Sequence, residues 1–158
     1  MPVNTEKMKF TPRKVNAFLF FKLPAAFFTG VRLKSLTDDT AEVKVTYKWV
    51  NQNPFKSMFW AVQGMASELA TGVLVMKEIA ASNRKISMLV TNMNGTFTKK
   101  ATGKIRFKCN QGQLIRETIQ KAIETGEGQT VIVTAEGFNK EGISVSKFEY
   151  EWSLKVKS

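Results

Sequence analysis

The sequence predicts an α+β domain in which a curved antiparallel sheet wraps one long buried helix. Residues 58–81 are rich in Ala, Met, Leu and Val and contain no proline, which favours a long helix that is apolar on most sides and therefore buried. The segments on either side alternate apolar and polar side chains, the period of half-buried antiparallel strands. We expect a single domain over residues 1–158, with an N-terminal helical extension at 1–30 and a core at 31–158.

The N-terminal extension is expected to be one helix after a loose basic lead-in at residues 1–10. Thr11 is suited to cap the helix and Pro12 to its first position, and Pro24 ends it after Leu23. Three interpretations stay open: a helix packed over the main fold, a lid over an apolar pocket, or a membrane-touching face. Lys22 interrupts the apolar run, so neither a secretory signal nor a membrane span is expected.

The remaining elements follow from turn residues and periodicity. Two strands at 31–37 and 41–50 are joined by Asp38-Asp39-Thr40, and Val43, Val45, Tyr47 and Trp49 share one face of the second. After the central helix we expect a strand at 86–99 with a bulge at Asn94-Gly95, and a strand at 104–109. An amphipathic helix at 112–125 is closed by Gly126, and a hairpin pairs 129–138 with 143–156.

Composition excludes several kinds of chemistry. The chain has no histidine and a single cysteine, Cys109, so Ser-His-Asp and Cys-His catalysis, an internal disulfide and any histidine-bearing metal site are ruled out. We therefore expect no metal. One cysteine also favours a reducing compartment, and the expected location is the cytoplasm.

The net charge of +11 permits an anionic partner such as nucleic acid, an anionic membrane or a phosphate-bearing ligand. The alternative is that lysines only solvate strand and helix faces. The sequence has no long block of like charges, no RNA-binding aromatic signature and no helix-turn-helix pattern, so nucleic acid is not the expected partner.

The central helix carries a narrow polar strip on an otherwise apolar rod. Gln63, Ser67 and Thr71 are spaced four apart and so share a face. Glu68 lies beside them between Gly64 and Gly72. Glycine inside a helix costs roughly 1 kcal/mol relative to alanine, so this pair indicates a close approach of another element. A carboxylate on a buried helix requires a partner, water or a proton, which makes Glu68 the leading candidate for chemistry.

The stretch from Asn53 to Gly72 resembles the central-helix motif of hotdog-fold thioesterases, of the phenylacetate-pathway type and its thioesterase-like relatives of unknown function. An asparagine opens the loop, and Glu68 stands nine positions after Phe59, which takes the place of the family's frequent histidine. Residues 97–103 resemble the family's strand-kink-strand segment, and the segment ending Trp152-Ser-Leu-Lys resembles its last strand. The resemblance covers most of residues 31–158.

The resemblance implies hydrolysis of an acyl-coenzyme A thioester at the interface of a homodimer, or within a tetramer, with no cofactor other than the coenzyme A of the substrate. The oxyanion would be bound by backbone N–H groups of Phe59, Trp60 or Ala61. Glu68 would be the general base or nucleophile. Asn53 or Gln63 would orient water or the carbonyl.

Further substrate contacts are expected from polar and basic side chains around this site. The polar candidates are Ser57, Ser67 and Thr71, and the candidates for binding the coenzyme A phosphates are Lys99, Lys100, Lys104 and Arg106. Ser57 is also expected to cap the central helix. The bulky helix start and the missing histidine keep a second interpretation open, a non-catalytic acyl- or lipid-binding module on the same fold.

Overall fold

The computed structural model describes residues 10–158 as one six-stranded antiparallel sheet with a long helix against it. The expected lead-in at residues 1–10 lies outside the described residues except for Phe10. In chain order the elements are α1 (Pro12–Lys22), α2 (Pro24–Phe28), β1 (Arg32–Leu36), β2 (Ala41–Thr46), a 3-10 turn (Trp49–Asn51), α3 (Trp60–Ala81), β3 (Ile86–Phe97), β4 (Lys104–Cys109), α4 (Gly112–Thr125), β5 (Gln129–Phe138) and β6 (Ser144–Val156).

The sheet order is β1-β2-β4-β5-β6-β3, and every neighbouring pair is antiparallel. The two long hairpin strands β5 and β6 therefore lie inside the sheet, while β1 and β3 form its edges. The expected α+β arrangement is confirmed, and β4, α4 and β5 have the predicted bounds. Gly126 closes α4 in the left-handed conformation, at φ 70°, as predicted.

The central helix α3 packs on the sheet through small and branched side chains. Ala66, Ala70, Val73 and Leu74 are buried between α3 and the sheet. Gly72 explains how closely the two layers approach, because a Cβ there would lie 3.3 Å from Cζ2 of Trp152 on β6. The predicted close approach is thus observed at Gly72, where the approaching element is the last strand, whereas a Cβ at Gly64 would meet only an ordinary contact with Phe148 at 4.0 Å.

The N-terminal helix α1 is capped by Thr11, whose side chain accepts a hydrogen bond from the N–H of Lys14. Asn16 fixes the helix to the edge of the sheet. Its amide donates to the carbonyl of Leu33 at 3.0 Å and accepts from the Leu33 N–H at 2.8 Å, as a neighbouring strand would. Pro24 ends α1 as predicted, but it also begins the short helix α2, which sequence patterning did not indicate.

Three predicted details of the strands are wrong: one boundary, the exposure of one side chain and the position of one bulge. The second strand stops at Thr46 instead of Val50, because Asn51 accepts from the N–H of Lys48 at 2.8 Å and turns the chain into the 3-10 turn. Trp49, expected on the buried face, is consequently 84% exposed. The register shift of β3 lies between Val90 and Asn92, upstream of the predicted bulge at Asn94-Gly95.

Candidate functional site

The loop before α3 is closed by the side chain of Asn53. Its Oδ1 accepts from the N–H groups of Phe55 at 2.9 Å and Ser57 at 3.2 Å, and its amide nitrogen lies 3.0 Å from the Ser57 hydroxyl oxygen. Both residues are therefore engaged in shaping the loop. The prediction that Ser57 caps the central helix is wrong, because the residue at the cap position is Phe59 and it makes no side-chain capping bond.

The start of α3 presents two free backbone donors. The N–H of Phe59 donates to the carbonyl of Asn51 at 2.9 Å, so it is not free to bind an oxyanion, although it was one of the three predicted donors. The N–H groups of Trp60 and Ala61 have no acceptor within the described part of the chain. They point out of the first helical turn, where the helix dipole adds partial positive charge. Two donors at a helix start can stabilise a developing oxyanion.

An open cavity of about 370 Å³ lies beside this helix start. It brings together residues that are far apart in sequence, from the loop, the first turns of α3 and the segment after β3. Six of the predicted site residues line it: Asn53, Ser57, Trp60, Gln63, Lys99 and Lys100. The ammonium of Lys100 also donates to the carbonyl of Phe55 at 3.1 Å, which fixes that side chain over the loop.

Glu68 lines a different cavity, of about 190 Å³, between α3, the last strands and the N-terminal helices. Among the described residues that line this cavity it is the only ionisable side chain, and the others are almost entirely apolar. The carboxyl reaches the surface of the single chain, yet burial of its inner part against these neighbours raises its pKa above the usual range. A raised pKa makes a carboxylate a stronger base, which suits proton abstraction from water.

One chain does not place the two halves of the predicted site together. From Trp60 to Glu68 the helix rises about 12 Å along its axis, so the free donors and the carboxylate of one chain cannot act on the same carbonyl. A second helix running antiparallel to the first would bring its own Glu68 beside these donors.

The polar strip of α3 faces the sheet instead of a ligand. The hydroxyls of Ser67 and Tyr150 lie 2.7 Å apart, and the indole N–H of Trp152 donates to Thr71 Oγ1 at 3.1 Å. All four residues are buried. The expectation that Ser67 and Thr71 bind substrate is corrected accordingly, because their hydroxyls satisfy polar groups of β6 inside the core.

Gln63 is similarly engaged. Its Oε1 accepts from the hydroxyl of Ser146 at 2.8 Å, and its Nε2 donates to the carbonyl of Met58 at 3.4 Å. Although Gln63 lines the cavity beside the helix start, both ends of its amide already have partners. The structure thus leaves Glu68 as the one candidate base on this face of the helix.

The four predicted phosphate-binding cations do not form one group. Lys99 and Lys100 line the cavity beside the helix start, whereas Lys104 lines a separate groove. The guanidinium of Arg106 lies 3.9 Å from the carboxylate of Glu42 on the neighbouring strand. Alternation along β4 places the latter two side chains on the outer face of the sheet, away from α3.

Sequence reasoning missed Asn51, which is buried and organises the approach to the helix. Its amide donates to the carbonyls of Thr29 and Thr46, each at 2.9 Å, and so ties the end of α2 to the end of β2. The Asn51-Gln52-Asn53 stretch contains two asparagines, and no periodic pattern in the sequence shows that Asn51 is the buried one and that Asn53 belongs to the loop. Tyr150 and Trp152 could have been predicted as partners of the polar strip. They are two residues apart on one face of β6, as Ser67 and Thr71 are four residues apart on one face of α3, and each carries a polar group that needs a partner when buried.

Residues 10–158 contain no cluster of acidic or cysteine side chains that could bind a metal ion. In the same range no helix is both long and apolar enough to cross a membrane.

Several solved structures share this fold at low sequence identity. A Pseudomonas aeruginosa protein of unknown function, named a probable thioesterase, superimposes with a TM-score of 0.76 at 20% identity, covering 93% of this chain and 97% of that chain. A thioesterase from Haemophilus influenzae gives 0.67 at 13%, covering 95% and 94%. The Escherichia coli PaaI protein from the phenylacetic acid degradation operon gives 0.59 at 14%, covering 89% and 96%.

These likenesses confirm the predicted hotdog fold, which this chain shares with proteins named thioesterases. No curated protein matches the chain. The model of the domain-of-unknown-function family DUF4442 matches residues 12–154, which include every helix and almost every strand residue described above. This chain is a member of the DUF4442 family, built on a thioesterase-like hotdog fold.

Proposed function

We propose that the protein is a cytoplasmic acyl-coenzyme A thioesterase that acts as a homodimer. The observation that carries the proposal is the pairing of features on α3: a carboxyl with raised pKa at an apolar cavity, and two free N–H groups at the start of the same helix. Each is a half of a hydrolytic site. Two of the structural relatives are named thioesterases, which supports the same proposal.

In the proposed reaction the Glu68 carboxylate takes a proton from a water molecule as the water oxygen attacks the thioester carbonyl carbon. The negative charge that develops on the carbonyl oxygen is stabilised by the N–H groups of Trp60 and Ala61 from the other subunit. The carbon–sulfur bond then breaks, and the departing coenzyme A thiolate recovers the proton from Glu68. Lys99 and Lys100 line the cavity beside the start of α3 and would bind the phosphates of coenzyme A.

The dimer required by this site would form through β3. This edge strand carries no lysine, proline or acidic residue along its twelve positions, although natural edge strands normally use such residues to prevent pairing. Its side chains Leu89, Met93 and Phe97 are exposed, as are the neighbouring rings of Phe59 and Trp60. Edge-to-edge pairing of two copies would continue the sheet and cover this apolar surface.

A second candidate function, a non-catalytic acyl-ligand module, is favoured by one feature of the helix start. The rings of Phe59 and Trp60 lie 5.9 Å apart at the free donors and narrow the access of a carbonyl to them. Asn53 and Gln63 are also engaged at both ends of their amides by internal hydrogen bonds, so Glu68 would be the sole group acting on water.

The deciding experiment measures thiol release from short, medium, long and aryl acyl-coenzyme A substrates by the wild type and by Glu68→Gln. We expect turnover by the wild type and a loss of at least about a hundredfold in the variant, because removing a general base costs about 10²–10⁴ in rate. Glu127→Gln, at an exposed acid without a side-chain partner, is the matched control and should retain full activity.

Oligomeric state is measured in parallel by light scattering. Leu89→Lys/Met93→Lys should give a folded monomer without turnover, because it places charge in the proposed interface. A wild-type monomer that hydrolyses thioesters would contradict the shared site. A dimer that hydrolyses none of the panel, but retains an acyl ligand on purification, would instead establish the binding module.

A further inference from the structure

The hairpin between α1 and α2 ends in an apolar tip that no residue between 10 and 158 covers. Every residue from Phe20 to Ala25 is exposed, including Phe21 at 75%, and Phe28 on α2 is 64% exposed. We call Phe20, Phe21, Leu23 and Phe28 the aromatic tip. Large exposed apolar patches of this kind mark interaction surfaces.

The aromatic tip is rigid rather than a loose collection of side chains. Phe20 makes edge-to-face contacts with Phe21 at 4.9 Å and with Phe27 at 5.1 Å between ring centroids, and Phe27 contacts Phe28 at 5.5 Å. The guanidinium of Arg32 lies 3.6 Å above the Phe27 ring and donates to the Phe27 carbonyl at 2.6 Å. The patch is therefore held in shape and joined directly to a cation.

Arg32 opens onto a groove lined by four cations, which we call the basic groove: Arg32, Lys44, Lys48 and Lys104. No acidic side chain from the described part of the chain lines this groove of about 220 Å³. Within residues 10–158 none of the four cations forms a salt bridge. Four unpaired positive charges in one groove attract an anion with several negative groups.

The region around the tip and the groove is mostly positive, and the one acid beside it, Glu42 on β2, lies 2.9 Å from the ammonium of Lys34 and 3.9 Å from the guanidinium of Arg106. Residues 10–37 contain no acid, and their cations are Arg13, Lys14, Lys22, Arg32 and Lys34. On the far side of the groove the 3-10 turn exposes Trp49, and Asn51 ties that turn to Thr29 directly after α2. Aromatic side chains that flank a cationic surface are typical of segments lying in a membrane interface.

We propose that this surface docks the protein on anionic phospholipid bilayers. The aromatic tip would enter the boundary between headgroups and acyl chains, and the basic groove would bind lipid phosphates. A second copy of this chain is the poorer occupant, because it would bring another set of unpaired cations to the same surface. The tip belongs to helices that Asn16 anchors on β1, and its Leu23 also lines the cavity that contains Glu68.

The test is co-sedimentation with vesicles of phosphatidylcholine alone and of phosphatidylcholine with phosphatidylglycerol, at low and high salt. We expect the wild type to bind the anionic vesicles and to be released by salt. Phe21→Ser/Phe28→Ser should weaken this binding by at least about tenfold, since it removes the inserted apolar area. Lys44→Gln/Lys48→Gln should weaken it by about fivefold for each cation removed.

Matched controls alter the same residue types elsewhere. Ile132→Ser/Ile143→Ser removes two other exposed apolar side chains, and Lys121→Gln/Lys140→Gln removes two lysines outside the groove. Equal losses in the controls would overturn the assigned surface. The proposal would also fail if the wild type did not bind anionic vesicles at low salt. It would fail likewise if Lys44→Gln/Lys48→Gln weakened binding to duplex DNA but left vesicle binding unchanged. All altered side chains reach the surface, and unchanged melting temperatures would verify folding.

Discussion

Replacing Thr71 by valine tests whether the polar strip of the central helix is structural or ligand-binding. The substitution preserves shape but leaves the indole N–H of Trp152, only 5% exposed, without its acceptor at 3.1 Å. A buried donor left unpaired costs about 1–3 kcal/mol. At about 2–4 °C per kcal/mol for a chain of this size, the melting temperature should fall by about 2–12 °C.

The assay is urea unfolding within a double-mutant cycle. Thr71→Val should cost far less in a Trp152→Phe background, which has no N–H to satisfy, and the coupling should be about 1–3 kcal/mol. Thr118→Val is the matched control. The hydroxyl of Thr71 donates to the carbonyl of Glu68 at 3.0 Å, and that of Thr118 donates in the same way to Leu114 at 2.8 Å on its own helix, but without a buried side-chain partner. Coupling within about 0.3 kcal/mol of zero would refute the structural role.

Two further predictions concern titration. The pKa of Glu68 is raised by folding, so ionisation of this carboxyl opposes folding. The loss of stability is absent below the ordinary carboxyl pKa and fully present above the raised pKa of the folded protein. Glu68→Gln should therefore raise the melting temperature at pH 7 but not at pH 4. Equal effects at both pH values would contradict this. Burial raises the pKa of Cys109 to about 11. This thiol should therefore react with a thiol-specific reagent at pH 8 only after unfolding. Rapid labelling of the native protein would contradict the buried position of Cys109.

Much of the fold follows from patterns that are local in the sequence. Gly126 can adopt the left-handed conformation that ends α4, and Thr11-Pro12 starts α1, so both boundaries were predictable. The end of β2 was not, because it depends on Asn51 bonding to the backbone of Thr29, twenty-two residues earlier. A side chain that satisfies distant carbonyls leaves no periodic signal in its own segment.

The site was predictable only in part for the same reason. Spacing along one helix indicated that Ser67, Glu68 and Thr71 lie near each other, but not which of them faces the sheet. The hydroxyls turn toward Tyr150 and Trp152, while the carboxylate stays at the surface. A hydroxyl can be buried if one hydrogen bond satisfies it, whereas one hydrogen bond does not compensate the burial of a charge. This difference separates Ser67 and Thr71, which are structural, from Glu68, the candidate base.

The three interpretations of the N-terminal helix concern different faces of one element. Asn16 packs the helix against the edge of β1, and Val15 and Leu19 line the cavity that contains Glu68. Phe20 and Phe21 belong to the exposed aromatic tip. Because these faces are offset around one helix, substitution of Leu19 should perturb packing and the cavity, whereas substitution of Phe21 should leave both intact. The helix that roofs the cavity of Glu68 is thus the same one that would contact lipid, and an acyl chain leaving a bilayer there would lie directly beside that cavity.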